Sequence, residues 1–271
     1  MWMNNHDRVA EAAPTNNVLF TQERRQQIAR LLEEQQRVTV PELSQLFAVS
    51  EVTIRKDLAW LENHNLAVRT HGGAVRATSN TAEMGFDVRE HLQHHEKDRI
   101  GAAATNYVQN GETIFLDAST TALSMAHFLK SKRELTVVTN GLRIGMELTG
   151  TPGISVLMPG GMLRPESLSL VGTWGQAVFQ QIHISKAFVG ARGFTFNEGL
   201  TDVSSEEVNL KRSIINIAKE VIAIIDYSKW DQLAFATFCP LERIGLIITD
   251  TKAPQKMVEQ AQSRNIEVLV V

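Results

Sequence analysis

Ser50, Thr53, Arg55 and Lys56 crowd the opening of one helical pattern, a combination suited to nucleic acid. Guanidinium and ammonium groups reach guanine edges or phosphates, while threonine offers a hydroxyl to phosphate and a methyl to thymine. Further along, Arg69 and His71 flank a turn from which they could grip an adjacent backbone. A second set of polar residues gathers at the ends of apolar runs. It comprises Asp117-Ala118-Ser119-Thr120-Thr121, Thr139-Asn140-Gly141, Gly160-Gly161-Met162-Leu163-Arg164, Glu207 with Lys211 and Arg212, and Asp226-Tyr227-Ser228-Lys229. Hydroxyls and free backbone N–H groups where a strand turns into a helix favour an anion, because the helix N-terminus adds partial positive charge. Ser119, Thr120 and Thr121 are therefore candidate phosphate ligands, with Lys211 and Lys229 supplying charge.

Periodicity shows which elements must carry these residues. Thr21 as a cap, Glu23 in the first turn, and Ile28, Leu31 and Leu32 on one face give a first helix ending near Gln35. After a short apolar piece at 38–40, Pro41 opens a second helix containing Leu43, Leu46 and Phe47. Val49 and Ser50 form the turn, and Ser50 caps a third helix whose expected buried face is Val52, Ile54, Leu58 and Leu61. Residues 66–69 alternate like a strand, Thr70-His71-Gly72-Gly73 is a turn, and Ala74-Val75 begins the return. Three helices and a hairpin predict a winged helix-turn-helix over 21–76, after a disordered extension at 1–20 and before a linker at 77–95. Over 96–271, apolar runs at 114–116, 135–138, 154–158, 187–189, 221–225, 246–248 and 268–271 read as buried strands. Helical patterns at 122–129, 206–218 and 253–264 lie between several of them. This alternation predicts an α/β fold with a Rossmann-like, mainly parallel sheet, helices on both faces, and strand ends facing a ligand crevice.

At 271 residues, 43% hydrophobic and 21% charged, the chain has the composition of an ordinary globular protein of two domains. A net charge of −3 and a pI of about 6.3 exclude polyanion binding by bulk charge, so any nucleic-acid site must be local. A single cysteine, Cys239, can form neither an internal disulfide nor a CxxC site, and the polar first residues lack the apolar core of a signal peptide or membrane span. Both observations point to the cytoplasm and away from a membrane. His91, His94 and His95 have no clustered Cys or acidic partners and read as solvated, so neither a metal nor a cofactor is expected.

By helical spacing alone, Arg55 and Lys56 read first as a solvated face. The run Val49-Ser50-Glu51-Val52-Thr53-Ile54-Arg55-Lys56-Asp57-Leu58, however, has Arg24 and Arg25 upstream and Arg69-Thr70-His71-Gly72-Gly73-Ala74 downstream. This constellation resembles the DeoR family of bacterial sugar-metabolism regulators, and the rest of the chain resembles that family's sensor domain, a relative of ribose-phosphate isomerases and glucosamine-phosphate deaminases. The resemblance implies double-stranded operator DNA as partner, a phosphorylated sugar or related anion as effector, and repression as the usual mode. It also implies Asp117, Ser119, Thr120, Thr121, Asn140, Gly160, Gly161, Glu207, Lys211 and Lys229 as effector ligands. Paired operator half-sites would require at least a dimer.

Three positions bear on that resemblance. Asn65 follows the recognition helix where the family often carries glycine, and asparagine also suits a left-handed cap. Ser119 stands where glycine is common, which would narrow the phosphate turn while adding a hydroxyl. Arg192 occupies a place that is often acidic or small, and a guanidinium there would select a second anionic group. Asp57 would repel phosphate, so an arginine of the same chain is its expected partner. The alternative function is a sugar-phosphate isomerase or deaminase with an accessory DNA-binding domain. It would need a base such as Asp117, Glu207 or Asp226, and the sequence shows no convincing second acid or base near them.

Overall fold

The computed structural model describes residues 21–35, 37–64, 66–70, 72–76, 84–179 and 181–271. The chain forms two compact units, Met1–Ala77 and Thr78–Val271. The first contains α1 (Thr21–Gln35), β1 (Arg37–Thr39), α2 (Val40–Phe47), α3 (Glu51–Asn63), β2 (Ala67–Thr70) and β3 (Gly73–Arg76). Its strands pair antiparallel in the order β1-β3-β2, completing a winged helix-turn-helix.

Caps set where its helices begin. The Thr39 hydroxyl accepts from the Glu42 amide while Glu42 accepts from the Thr39 amide, and Pro41 occupies the first turn of α2. Ser50 accepts from the Thr53 amide at 3.2 Å and starts α3. Ile28 and Leu32, Leu43 and Phe47, and Ile54, Leu58 and Leu61 form the buried interior. Val52 does not join them; it is 62% exposed. Each helical residue turns about 100°, so position 52 lies on the face of positions 55 and 56 and away from the stripe of 54, 58 and 61. Asn65 lies outside the described residues, as do 1–20 and His71; α3 ends at a His64 cap with φ −102°.

The second unit begins with α4 (Phe86–His91), α5 (His94–Thr105), β4 (Thr113–Leu116), α6 (Thr120–Phe128), β5 (Leu135–Thr139), α7 (Leu142–Leu148) and β6 (Ile154–Leu157). A hairpin of β7 (Met162–Arg164) and β8 (Ser169–Val171) follows, then α8 (Gln176–Phe179) and β9 (Ile184–Val189). Next come β10 (Gly193–Thr195), β11 (Gly199–Asp202), α9 (Ser205–Ile217), β12 (Ala218–Ile224) and β13 (Ala236–Cys239). The unit closes with β14 (Leu246–Thr249), α10 (Gln255–Ser263) and β15 (Glu267–Val270).

Seven strands form one parallel sheet in the order β15-β14-β12-β9-β4-β5-β6. Side chains alternate between its faces, so each central strand feeds two interiors. Ile114, Leu116, Val137, Phe188, Ile222 and Ile248 pack with residues of α5, α6 and α7, among them Ile100, Met125 and Ile144. Phe115, Ala187, Val189, Val221 and Ile247 pack on the other side with Val208 and Ile214 of α9, Ala261 of α10, and Phe194, Leu200 and Phe238 of the sheet β10-β11-β13.

Part of the expected linker is built structure. Phe86, Val88 and Leu92 are buried, and Phe86 enters the α5–α7 interior. Their uneven spacing spoils a helical period, because α4 is too short to repeat one. Residues 77–83 are outside the described residues.

Candidate functional site

In the first unit, α3 presents Arg55 and Lys56 on its exposed side, with Val52 beside them. Arg55 Nη2 lies 2.9 Å from Glu51, an exposed pair one turn apart that solvent largely screens. Thr53 is less available than its type suggested: it is half-buried, and its hydroxyl lies 2.9 Å from that of Ser50. Arg69 faces its own protein. Its backbone N–H donates to Glu62 at 3.3 Å, and its guanidinium Nη1 donates to the Arg55 carbonyl at 3.0 Å, tying the wing to α3. Asp57 is buried between Arg24, at 2.6 Å, and Arg25, at 2.8 Å, and the Arg25 guanidinium lies 4.8 Å over the Trp60 ring. The intramolecular arginine partner expected for Asp57 is thus present twice.

In the second unit the sheet order reverses between β4 and β9, since chain order runs one way through β5 and β6 and the other way through β12, β14 and β15. Open parallel sheets bind ligands in the crevice beyond the carboxyl ends of strands at such a point. A small polar pocket opens there, lined by Ala118 and Ser119 after β4, Arg192 after β9, Asp202 of β11, Glu207 and Lys211 of α9, Ser167 of the hairpin turn, and Arg89 of α4.

Lys211 forms its floor. The ammonium donates to Asp117 Oδ2 at 2.8 Å, Asp202 Oδ2 at 2.7 Å and the Gly190 carbonyl at 3.0 Å, which occupies all three N–H bonds. Burial alone would lower its pKa, but Asp117, Asp202 and Glu207 raise it, so it stays charged. Burial would likewise raise the Asp202 pKa; Lys211 and Arg192 bring it below the usual carboxylate range. Asp117 also accepts from the Gly190 amide at 3.0 Å, joining the ends of β4 and β9. Glu207 accepts from Ser167 at 2.8 Å, from Ser169, and from Asn140 Nδ2 at 3.3 Å, with Arg164 Nη1 at 3.6 Å.

Ser119 does not strain the turn. Its φ is −85°, its hydroxyl caps α6 by accepting from the Ala122 amide at 3.1 Å, and the space for it comes from Gly190. A Cβ built on Gly190 would stand 2.5 Å from that of Ser119.

Of the residues proposed from sequence, Ser119, Arg192, Glu207 and Lys211 line the pocket, while Asp117 and Asn140 stand behind it as partners of Lys211 and Glu207. The others do not line it. Thr120 and Thr121 are buried in the first turn of α6. Gly160 and Gly161 shape the turn into β7, where Gly161 has φ 135° and a Cβ would meet the Val171 carbonyl at 2.3 Å. Lys229 donates to the Ser228 hydroxyl at 2.9 Å and lies 3.9 Å from Asp226. Sequence reasoning missed Arg89, Ser167 and Asp202. Asp202 carried a signal, a carboxylate closing the run Gly199-Leu200-Thr201. Among the described residues no three His, Cys, Asp or Glu side chains gather as a metal site, and no helix is long and apolar enough to cross a membrane.

A winged helix-turn-helix with a basic recognition helix, followed by an α/β unit with a polar pocket at its switch point, defines a DNA-binding regulator with a sensing domain. The particular family follows from comparison with known proteins. Residues 24–80 match the DeoR-like helix-turn-helix domain and residues 92–251 the DeoR C terminal sensor domain. The chain is 37% identical over 252 residues to the HTH-type transcriptional regulator GolR of Listeria innocua, covering 93% of this chain and 99% of that one. It is 32% identical over 263 residues to the putative aga operon transcriptional repressor of Escherichia coli O157:H7, covering 96% and 98%. With the glycerol-3-phosphate regulon repressor of Escherichia coli K12 it shares 29% over 241 residues, covering 89% and 95%. The chain belongs to the DeoR family and is a DNA-binding transcriptional regulator.

Proposed function

We propose that the protein represses a carbohydrate-metabolism operon and is released from its operator by a small phosphorylated sugar or a related polyhydroxy anion. The observation that carries this reading is the composition of the switch-point pocket: two arginines, Arg89 and Arg192, face the same space as two carboxylates, Asp202 and Glu207, beside the capped start of α6. Arginine suits a phosphate fork, and buried carboxylates accept from sugar hydroxyls. Relatives named as repressors of the aga operon and the glycerol-3-phosphate regulon support the same direction. The regulator acts in the cytoplasm, as a dimer or higher oligomer, because paired half-sites call for paired recognition helices.

The pocket acts as a sensor and not as a catalyst. Asp117, one candidate base, is committed to the Lys211 ammonium and the Gly190 amide, and Glu207 is committed to the donors of Ser167, Ser169 and Asn140. Calorimetry with sugar phosphates and their unphosphorylated parents tests the binding reading: the phosphorylated form of one sugar binds and its parent does not. Equal binding of both would defeat it, and turnover of any of these compounds would restore the enzyme alternative.

The variant that isolates effector binding is Arg192→Gln. Lys211→Ala would leave Asp117 and Asp202 buried without their cation, a loss of about 3–5 kcal/mol that confuses folding with binding. Arg192 is nearer the surface, with Nε 3.9 Å from Asp202. Its loss should weaken the effector at least tenfold while operator affinity without effector stays within twofold, as titrated by fluorescence anisotropy.

A further inference from the structure

We propose that Val52 reads DNA by packing against the C5-methyl group of thymine on the floor of the major groove. The assignment rests on the reading that α3 is the helix that enters the groove. Val52 is the second residue of α3, and at 62% exposed it contributes little to the interior formed by Ile54, Leu58 and Leu61. Arg55 and Lys56 stand three and four residues further on, on the same face. A branched apolar group at that place gains nothing from water and is flanked by the charges that bring phosphate and guanine close.

The thymine methyl is the apolar group that the major groove presents to a reading helix. Residues in the first turn of a recognition helix are those that reach base edges. Thr53, the sequence candidate for the same contact, is half-buried with its hydroxyl held by Ser50 at 2.9 Å, so Val52 is the freer of the two. Ser50 also fixes where α3 starts, and with it the height at which Val52 stands.

Replacing thymine by deoxyuridine removes the methyl and leaves the base pair intact, which gives a direct experiment. Full-length protein selects a duplex from a random pool, each dT is exchanged singly for dU, and affinities are measured for wild type and Val52→Ala. One thymine per half-site should lose about threefold to fivefold on exchange in the wild type, the worth of one buried methyl-sized group. Val52→Ala should bind the dT duplex that much more weakly and be indifferent to dU at the same position. A wild type indifferent to every dU exchange, or a dU penalty undiminished in Val52→Ala, overturns the assignment. The double variant Arg55→Ala with Lys56→Ala separates the two levels. If it still binds the selected duplex, the reading of α3 itself fails; if it does not and dU is silent, only the thymine contact fails.

Discussion

Asp57 holds two guanidinium groups at once, which explains why a carboxylate is found in a helix meant to approach phosphate. It pairs with Arg24 and Arg25, offsetting one of their two charges, while Arg55 and Lys56 stand on the exposed side of α3. Asp57→Ala would leave the buried Arg24 guanidinium without its carboxylate, a loss of about 3–5 kcal/mol. Hydrogen exchange should then show α1 and α3 losing protection while β4 and β9 keep theirs; full protection of α3 in the variant would refute the assigned importance. Gly190 and Ser119 form a second dependent pair. Gly190→Ala sets two Cβ atoms 2.5 Å apart and should destabilise the sensor unit by about 1–3 kcal/mol, and Ser119→Gly in the same chain should recover most of it. Denaturant midpoints of the two single variants and the double variant decide this, since additive losses would rule out the contact. The resemblance to the DeoR family marked Ser119 as unusual, but its compensation lay 71 positions away across the switch point and had no local signature.

The seven runs read as strands are the seven strands of the parallel sheet. Burial on both faces leaves continuous runs in central strands, such as Val221-Ile222-Ala223-Ile224-Ile225. The edge strands β6 and β15, expected to be buried, hold no fully buried residue because each has a neighbour on one side only. The smaller elements were illegible for the converse reason. β7, β8, β10 and β11 have three or four residues each, too few to display a period, and α4 is a six-residue helix in a polar stretch. That helix matters to the site, since it carries Arg89 into the pocket, with Arg89 Nε donating to the Met84 carbonyl at 3.0 Å. Lys97 of α5 secures its end by donating to the carbonyls of Arg89 and Leu92. Burial lowers the Lys97 pKa from 10.5 to about 7, Asp226 opposes the change, and Lys229, Arg89 and Arg192 add to it. The unfolded chain therefore holds the extra proton between those values, and stability should rise with pH from about 7 upward, by at most roughly 1.4 kcal/mol per unit. Cys239 works in the opposite sense above about pH 9, because burial pushes its thiol up to about 12. Unfolding measured between about pH 7 and 8.5 should consequently show a positive slope in the wild type that flattens in Lys97→Met. Equal slopes in both would show that Lys97 is not the titrating group.

At the scale of the whole chain, two units with separate interiors must exchange information if a pocket in one is to control a helix in the other. The proposed repression mechanism makes that exchange a coupling free energy, and coupling is reciprocal whatever path it takes. If effector weakens operator binding by a given factor, operator must weaken effector binding by the same factor; typical regulatory couplings of about 1–3 kcal/mol correspond to roughly 5-fold to 150-fold. The chain offers a way to measure both sides. Effector affinity is read by calorimetry on free and operator-saturated protein, and operator affinity by anisotropy with and without saturating effector. The two ratios should agree within error for the wild type. In Arg192→Gln, where the proposed contact to the anion is removed but its Asp202 neighbour remains paired with Lys211, effector affinity should fall while the coupling ratio at saturation persists. An Arg89 variant should behave differently, since Arg89 both lines the pocket and holds the Met84 carbonyl at the start of α4, the first described element after the DNA-binding unit. Arg89→Gln should therefore reduce the ratio itself, leaving a protein that binds effector and operator together. A ratio unchanged in Arg89→Gln, at saturating effector, would remove α4 from the coupling and leave Arg89 a ligand contact alone.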